Sequence, residues 1–118
     1  MRKIYNVGII GTGFIGKVHA YGFSNLKYYY PDSSFKVRLL GICDVRKDLL
    51  EEFRDNYDFD FTTTDYRELI NHPEIDIVDI CTPNIFHREQ ILECIKAEKH
   101  IYCEKPLVSD FDESVQVI

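Results

Sequence analysis

The stretch that most constrains this chain is six residues long, Gly11-Thr12-Gly13-Phe14-Ile15-Gly16. It follows an apolar run, Ile4 to Ile10, and precedes a segment from Phe14 to about Leu26 that is able to form a helix. The first N–H groups of such a helix have no carbonyl one turn earlier to bond, so they face outward at the turn and suit an anion. In that setting GxGxxG marks a turn that cradles a diphosphate. Gly11 permits the tight bend, Gly13 lets the ligand approach the backbone, and Gly16 lets the helix pack against the strand. The same residues nearly match a nucleoside-triphosphate loop, GxxxxGK from Gly11 to Lys17. That chemistry needs a Ser or Thr hydroxyl at the next position for Mg²⁺, and the residue there is Val18.

Beyond the turn, apolar runs alternate with helical patterns. Val37 to Cys43 reads as a second strand that stops at Asp44, and Lys47 to Asn56 as a helix with Leu49, Leu50 and Phe53 at helical spacing. A short third strand is expected around Phe59 to Thr62, then a helical turn from Tyr66 to Asn71. A fourth strand spans Ile75 to Cys81, where Asp76 and Asp79 need partners if the sheet is covered on both faces. Thr82-Pro83-Asn84 breaks that run, with Asn84 placed to cap a helix from Ile85 to Ala97 whose apolar stripe is Ile91, Leu92 and Ile95. His100 to Cys103 gives a fifth strand, ended by Glu104-Lys105-Pro106, and a last helix begins at Ser109 as cap with Val115 and Ile118 facing inward.

Short, nearly all-apolar strands alternating with helices imply an α/β domain over residues 1–118. The expected architecture is a doubly wound parallel sheet of about five strands with helices on both faces, a Rossmann dinucleotide-binding fold cut off before a sixth strand. In such sheets a ligand binds beyond the carboxyl ends of the strands where the strand order reverses. The residues that interrupt the apolar pattern collect there: the glycine turn, Asp44, Thr82-Pro83-Asn84 and Glu104-Lys105-Pro106. At the end of the second strand, Asp44 is placed to accept both hydroxyls of an adenosine ribose and to repel a 2′-phosphate, which favours NAD over NADP. The interval from Gly16 to Asp44 exceeds the usual ~20 residues and is attributed to an insertion around Tyr28 to Phe35. Arg46 and Lys47 follow closely enough to serve a 2′-phosphate if Asp44 swung aside.

Charge and composition narrow the partners. Twenty acidic residues against fourteen basic ones give a net charge of −6, with no basic helix face, so nucleic acid is not an expected partner. No apolar run approaches the ~20 residues of a membrane span. The start Met1-Arg2-Lys3 imitates a signal peptide, but the apolar stretch meets the glycine turn too early and no small-residue cleavage site follows, so a cytoplasmic chain is expected. The four cysteines, Cys43, Cys81, Cys94 and Cys103, lack CxxC pairing or regular metal-ligand spacing and are expected to be reduced and mostly buried. No metal site is expected.

The combination of VGIIGTGFIGKVH, GICD, DIVDICTPNIFH and HIYCEKPL resembles the amino-terminal half of the Gfo/Idh/MocA oxidoreductases, named for glucose-fructose oxidoreductase, inositol dehydrogenase and rhizopine catabolism. The resemblance runs from about Val7 to Leu107. It implies that Gly11, Gly13 and Gly16, with the backbone of Thr12, Phe14 and Ile15, hold the pyrophosphate and that Asp44 holds the adenosine ribose. Thr82, Pro83 and Asn84 would line the cofactor groove, His87 would sit near the nicotinamide end, and Glu104 would approach the nicotinamide ribose. Lys105 would point at the reacting carbon and its hydroxyl, as the catalytic residue, across a cis Lys105-Pro106 bond.

A lysine of lowered pKa is able to stabilise or remove a hydroxyl proton as hydride leaves a sugar or polyol carbon. By contrast His19 reads as a packing residue, and His72 and His100 carry no functional reading. The resemblance further implies a second domain that supplies most of the substrate pocket and the oligomer interface, so this chain alone is expected to bind cofactor weakly and to turn over little substrate. A competing reading is a non-catalytic dinucleotide-binding sensor of the same fold, which would have no need for a lysine at the reacting carbon.

Overall fold

A computed structural model describes residues 2–118; Met1, the first residue of the signal-like start, lies outside the described residues. Five strands form one sheet in the order β3-β2-β1-β4-β5, and every pairing is parallel. In chain order the elements are β1 (Lys3–Ile10), α1 (Phe14–Tyr29), β2 (Phe35–Cys43), α2 (Lys47–Tyr57), β3 (Phe61–Thr63), α3 (Tyr66–Ile70), β4 (Ile77–Ile80), a 3₁₀ turn (Asn84–Phe86), α4 (His87–Lys96), β5 (His100–Cys103) and α5 (Phe111–Val117). The chain leaves β1 on one side to build β2 and β3, then returns across it to build β4 and β5. The order therefore reverses between β1 and β4, and the carboxyl ends of those two strands open the crevice where such sheets bind ligands.

Two apolar cores, one on each face, hold the sheet. Leu50 and Phe53 of α2 and Ala20 of α1 pack with Val7, Ile9, Leu39 and Ile42, while Leu69 and Ile70 of α3 and Ile91 and Cys94 of α4 pack with Ile10, Leu40, Cys43, Val78 and Ile80. Strict alternation along β2 would send Leu39 and Ile42 to opposite faces. The register between β1 and β2 slips after Val7, so that Leu39 faces Val7 but Gly41 faces Gly8. The extra residue, Leu40, enters one core while Leu39 and Ile42 share the other, as a bulge permits. The paired Gly8 and Gly41 leave the room that Leu69 and Phe61 occupy: a Cβ on Gly8 would lie 2.6 Å from the Leu69 side chain, and one on Gly41 2.4 Å from the Phe61 ring.

The expected elements are present, with shifted ends. α1 continues to Tyr29 and β2 begins at Phe35, so part of the extra length between Gly16 and Asp44 is absorbed by a longer helix and strand. Asn84 does not cap a helix; it opens the 3₁₀ turn, and α4 starts only at His87 without a side-chain cap. The buried stripe of α4 is His87, Gln90, Ile91 and Cys94, one helical face at i, i+3, i+4 and i+7, whereas Ile95 is half exposed. The last helix is capped by Asp110, which accepts the Glu113 N–H, and not by Ser109. Val115 and Ile118 are exposed and Val117 packs inward instead. The four cysteines are free thiols, with Cys43 and Cys94 buried.

Candidate dinucleotide site

Three strand ends converge at the crevice. The turn after β1 begins with Gly11 at φ +114°, a conformation for which side-chain residues are strained, and a Cβ there would lie 2.7 Å from the Cys81 carbonyl oxygen just beyond β4. Gly11 N–H donates to the Cys43 carbonyl at 2.8 Å, so one glycine is wedged between the ends of β2 and β4. Gly16 serves a contact more specific than helix-on-strand packing: its Cβ would meet the Gly11 carbonyl oxygen at 2.2 Å, so only glycine lets α1 start so close to the turn. Around Gly13, by contrast, a Cβ would meet nothing within 4 Å. That open corner adjoins the start of α1, which has no side-chain cap and no acidic residue in its first turn. The Phe14, Ile15 and Gly16 N–H groups thus face space that a doubly charged diphosphate fits.

Thr12 departs from its expected part. Its N–H donates to Asp44 Oδ2 at 2.8 Å and its hydroxyl donates to the same oxygen at 2.7 Å, which takes that N–H out of the set able to reach a diphosphate. Thr12 is 2% exposed, so the link is internal to the turn. Asp44 Oδ1 accepts the Arg46 N–H at 2.9 Å and a longer contact from Arg46 Nε at 3.4 Å. Burial pushes the Asp44 carboxyl up, but the hydrogen bonds from Thr12 and Arg46 outweigh it and hold the group below the usual carboxylate range. Four donors occupy a carboxylate with about four lone-pair sites, and the exposed Arg46 guanidinium makes the longest of these bonds. It is the one most readily exchanged for a ribose hydroxyl.

Beyond β4, Thr82 donates its hydroxyl to Gln90 Oε1 at 2.7 Å, tying the Thr82-Pro83-Asn84 turn to α4. His87 is only 1% exposed, and its ring is turned into the protein instead of toward the groove. Nε2 lies 2.7 Å from the Thr82 carbonyl oxygen; Nδ1 lies 2.9 Å from that of Pro106 and 3.1 Å from that of Leu107. This side chain therefore pins the turn after β4 to the turn after β5. The reason is geometric: His87 lies four residues before the buried Ile91 and so on the same inward stripe of α4.

The turn after β5 holds the remaining residues. Glu104 N–H donates to the Ile80 carbonyl at 3.1 Å, which fixes the backbone beside β4. The Lys105-Pro106 bond is cis, as expected, and Lys105 is exposed. The sequence reading missed His19. This residue of α1 lies with Nδ1 2.8 Å from Asp79 Oδ2 and Nε2 3.2 Å from Glu104 Oε2, so it is no mere packing residue. The available signal was Asp79, a carboxylate in an apolar strand that called for a partner. Burial pushes its carboxyl above the usual range, partly offset by His19. His72, for its part, stacks on Phe61 and accepts the Glu74 N–H. Two hollows, of about 580 and 650 Å³, lie at the other end of the strands around Leu26, Tyr30 and Phe35.

A parallel sheet of order 3-2-1-4-5 with an uncapped helix behind a glycine turn and an aspartate ending the second strand defines a nicotinamide dinucleotide-binding Rossmann domain. The family model for the Gfo/Idh/MocA oxidoreductases, NAD-binding Rossmann fold, matches residues 5–118, and the chain belongs to that family. It is 38% identical over 110 residues to levoglucosan dehydrogenase of Pseudarthrobacter phenanthrenivorans, covering 92% of this chain and 28% of that protein. It is 37% identical over 113 residues to myo-inositol 2-dehydrogenase of Thermotoga maritima, covering 93% of this chain and 31% of the relative. Among solved structures, levoglucosan dehydrogenase in complex with NADH superposes with a TM-score of 0.93 at 34% identity, over 98% of this chain and 31% of the other. The chain thus spans about a third or less of the length of these relatives.

Proposed function

We propose that this domain binds NAD(H) for a protein that oxidises a hydroxyl of a sugar or polyol, or reduces the corresponding carbonyl. The reading is supported by the glycine turn, Asp44 and the Glu104 backbone meeting at neighbouring strand ends, with Lys105, next in the chain, exposed. Relatives that act on levoglucosan and myo-inositol support the substrate class. A solved structure of scyllo-inositol dehydrogenase from Lactobacillus casei with bound NAD(H) and scyllo-inositol, TM-score 0.84 at 26% identity, covers 98% of this chain and 32% of its own; it supports the same class.

In this reading the N–H groups of Phe14, Ile15 and Gly16 hold the diphosphate, with Gly11 and Gly16 shaping the turn and Gly13 leaving the approach open. Asp44 accepts the adenosine ribose hydroxyls and disfavours a 2′-phosphate. The turn at Thr82, Pro83 and Asn84 walls the groove, His87 fixes that wall against the Pro106 carbonyl, and Glu104 borders the nicotinamide half. NAD supplies the hydride acceptor when bound. Lys105 Nζ takes the proton of the substrate hydroxyl in the oxidative direction and returns it to the alkoxide oxygen in the reductive one, general acid–base work at one oxygen atom. The rest of the substrate contacts and any subunit interface belong to the remainder of a longer protein. A cytoplasmic location is part of the reading, since four unpaired thiols suit a reducing compartment.

The test is an assay of the intact protein with NAD⁺ and a panel of inositols, aldoses and anhydrosugars, following NADH absorbance, beside a fluorescence titration with NADH and NADPH. NADH formation from at least one polyol and tighter binding of NADH are expected. No binding of either nucleotide at millimolar concentration would refute the proposal.

A further inference from the structure

The Asp79, His19 and Glu104 side chains form a chain of polar contacts that the glycine-turn chemistry does not require. It begins in the interior: Asp79 of β4 is 0% exposed. His19 reaches it from α1, one nitrogen 2.8 Å from Asp79 and the other 3.2 Å from Glu104, and the ring is 10% exposed. The imidazole plane is fixed as well, because it stacks on Tyr102 of β5 at a centroid distance of 5.0 Å and an interplanar angle of 21°, and Phe23 of α1 meets Tyr102 edge-on. Cys81 Sγ closes the remaining side, 3.3 Å from Nδ1 and 3.4 Å from Asp79 Oδ1. Thus α1, β4 and β5 each contribute to holding one ring, and the free end of that ring meets the residue immediately before Lys105.

His19 thus bridges the two carboxylates, Nδ1 facing Asp79 Oδ2 and Nε2 facing Glu104 Oε2. The three groups form a continuous polar strut from a buried anchor to the strand-end carboxylate, a hydrogen bond at Asp79 and an ion-pair contact at Glu104. We propose that His19 is a positioning residue, braced by Asp79, that sets the Glu104 carboxylate and with it the Lys105 backbone at the nicotinamide end of the crevice. The inference rests on the proposed dehydrogenase function for its kinetic consequence, but its geometric content is independent of it. A buried charge left without its partner is costly on its own account, so two variants are needed to separate bracing from stability.

The experiment compares His19→Phe with His19→Phe/Asp79→Val in the intact protein. Phenylalanine keeps the stack on Tyr102 and removes both nitrogens; valine then removes the stranded carboxylate. If the strut positions Glu104, the double variant recovers thermal stability yet keeps kcat down, by about 10- to 100-fold for displacements on the order of 1 Å, while the Kd for NADH changes less than threefold. Recovery of kcat together with stability overturns the inference, because the polar chain would then matter only for folding. A crystal structure of the double variant decides the matter without turnover. A Glu104 carboxylate within about 0.5 Å of its wild-type place overturns the inference, and a displaced or disordered one upholds it. An intact protein that oxidises no polyol refutes the proposed function and leaves this structural readout in force.

Discussion

Thr12 and Asp44 are joined twice through a single oxygen: Asp44 Oδ2 accepts both the Thr12 N–H at 2.8 Å and the Thr12 hydroxyl at 2.7 Å. The end of β2 is thereby fastened to the turn after β1, and the carboxylate proposed for a ribose also shapes the turn proposed for the diphosphate. Asp44→Ala is expected to weaken NADH binding by about 10- to 100-fold, the worth of losing hydrogen bonds to a charged acceptor. It should narrow the gap between NADH and NADPH as well. Fluorescence titration with both nucleotides measures this, and an undiminished preference for NADH would remove Asp44 from the ribose site.

The same pair sets a pH dependence. The Asp44 carboxyl is held below its usual range in the folded chain. A group depressed in this way contributes stability that is present above the unfolded carboxylate value of about 3.9 and is lost as pH falls through the folded value. Urea unfolding of wild type and Asp44→Asn should therefore differ most near neutrality and converge on acidification. A difference that grows toward low pH would contradict the assignment.

The glycines of the turn should separate fold from function. At Gly11 an added Cβ meets the Cys81 carbonyl and the backbone is left-handed, so Gly11→Ala should cost about 3 kcal/mol of stability. Gly13 has extended backbone and open space around it, so Gly13→Val should change stability by less than about 1 kcal/mol while placing methyl groups where the diphosphate must sit. Calorimetric titration of the Gly13 variant should show at least a hundredfold loss of NADH affinity in a folded protein.

Lys105→Ala in the intact protein should lower kcat by about 10²- to 10⁴-fold, the usual worth of a general acid–base, and leave the Kd for NADH nearly unchanged. Wild-type turnover in this variant would end the catalytic assignment.

Thiol chemistry reports on the two cores. Burial pushes Cys43 and Cys94 up to about 12 and the half-buried Cys103 up to about 11; burial and the Asp79 charge raise Cys81 further still. Since the thiolate is the reactive form, Ellman's reagent should label almost none of the folded chain near neutral pH and all four cysteines after denaturation. Fast labelling of Cys103 in the His87→Ala variant is a further expectation, because His87 Nδ1 lies 3.4 Å from Cys103 Sγ and packs over it.

What the sequence determined by itself was everything encoded by local spacing. Apolar runs of strand length, helical stripes such as Leu50 and Phe53, and glycines at Gly11, Gly13 and Gly16 were legible because backbone geometry imposes those patterns on contiguous residues. Tertiary structure alone decided the rest. His87 met the Thr82 and Pro106 carbonyls because the turns after β4 and β5 close over the start of α4, Thr12 gave up its N–H because the end of β2 lies against the turn after β1, and His19 met Asp79 and Glu104 across 60 and 85 residues of chain. Contacts of that separation leave no periodic trace. They arise when parallel pairing brings strand ends together, and a side chain's partners there depend on which ends become neighbours.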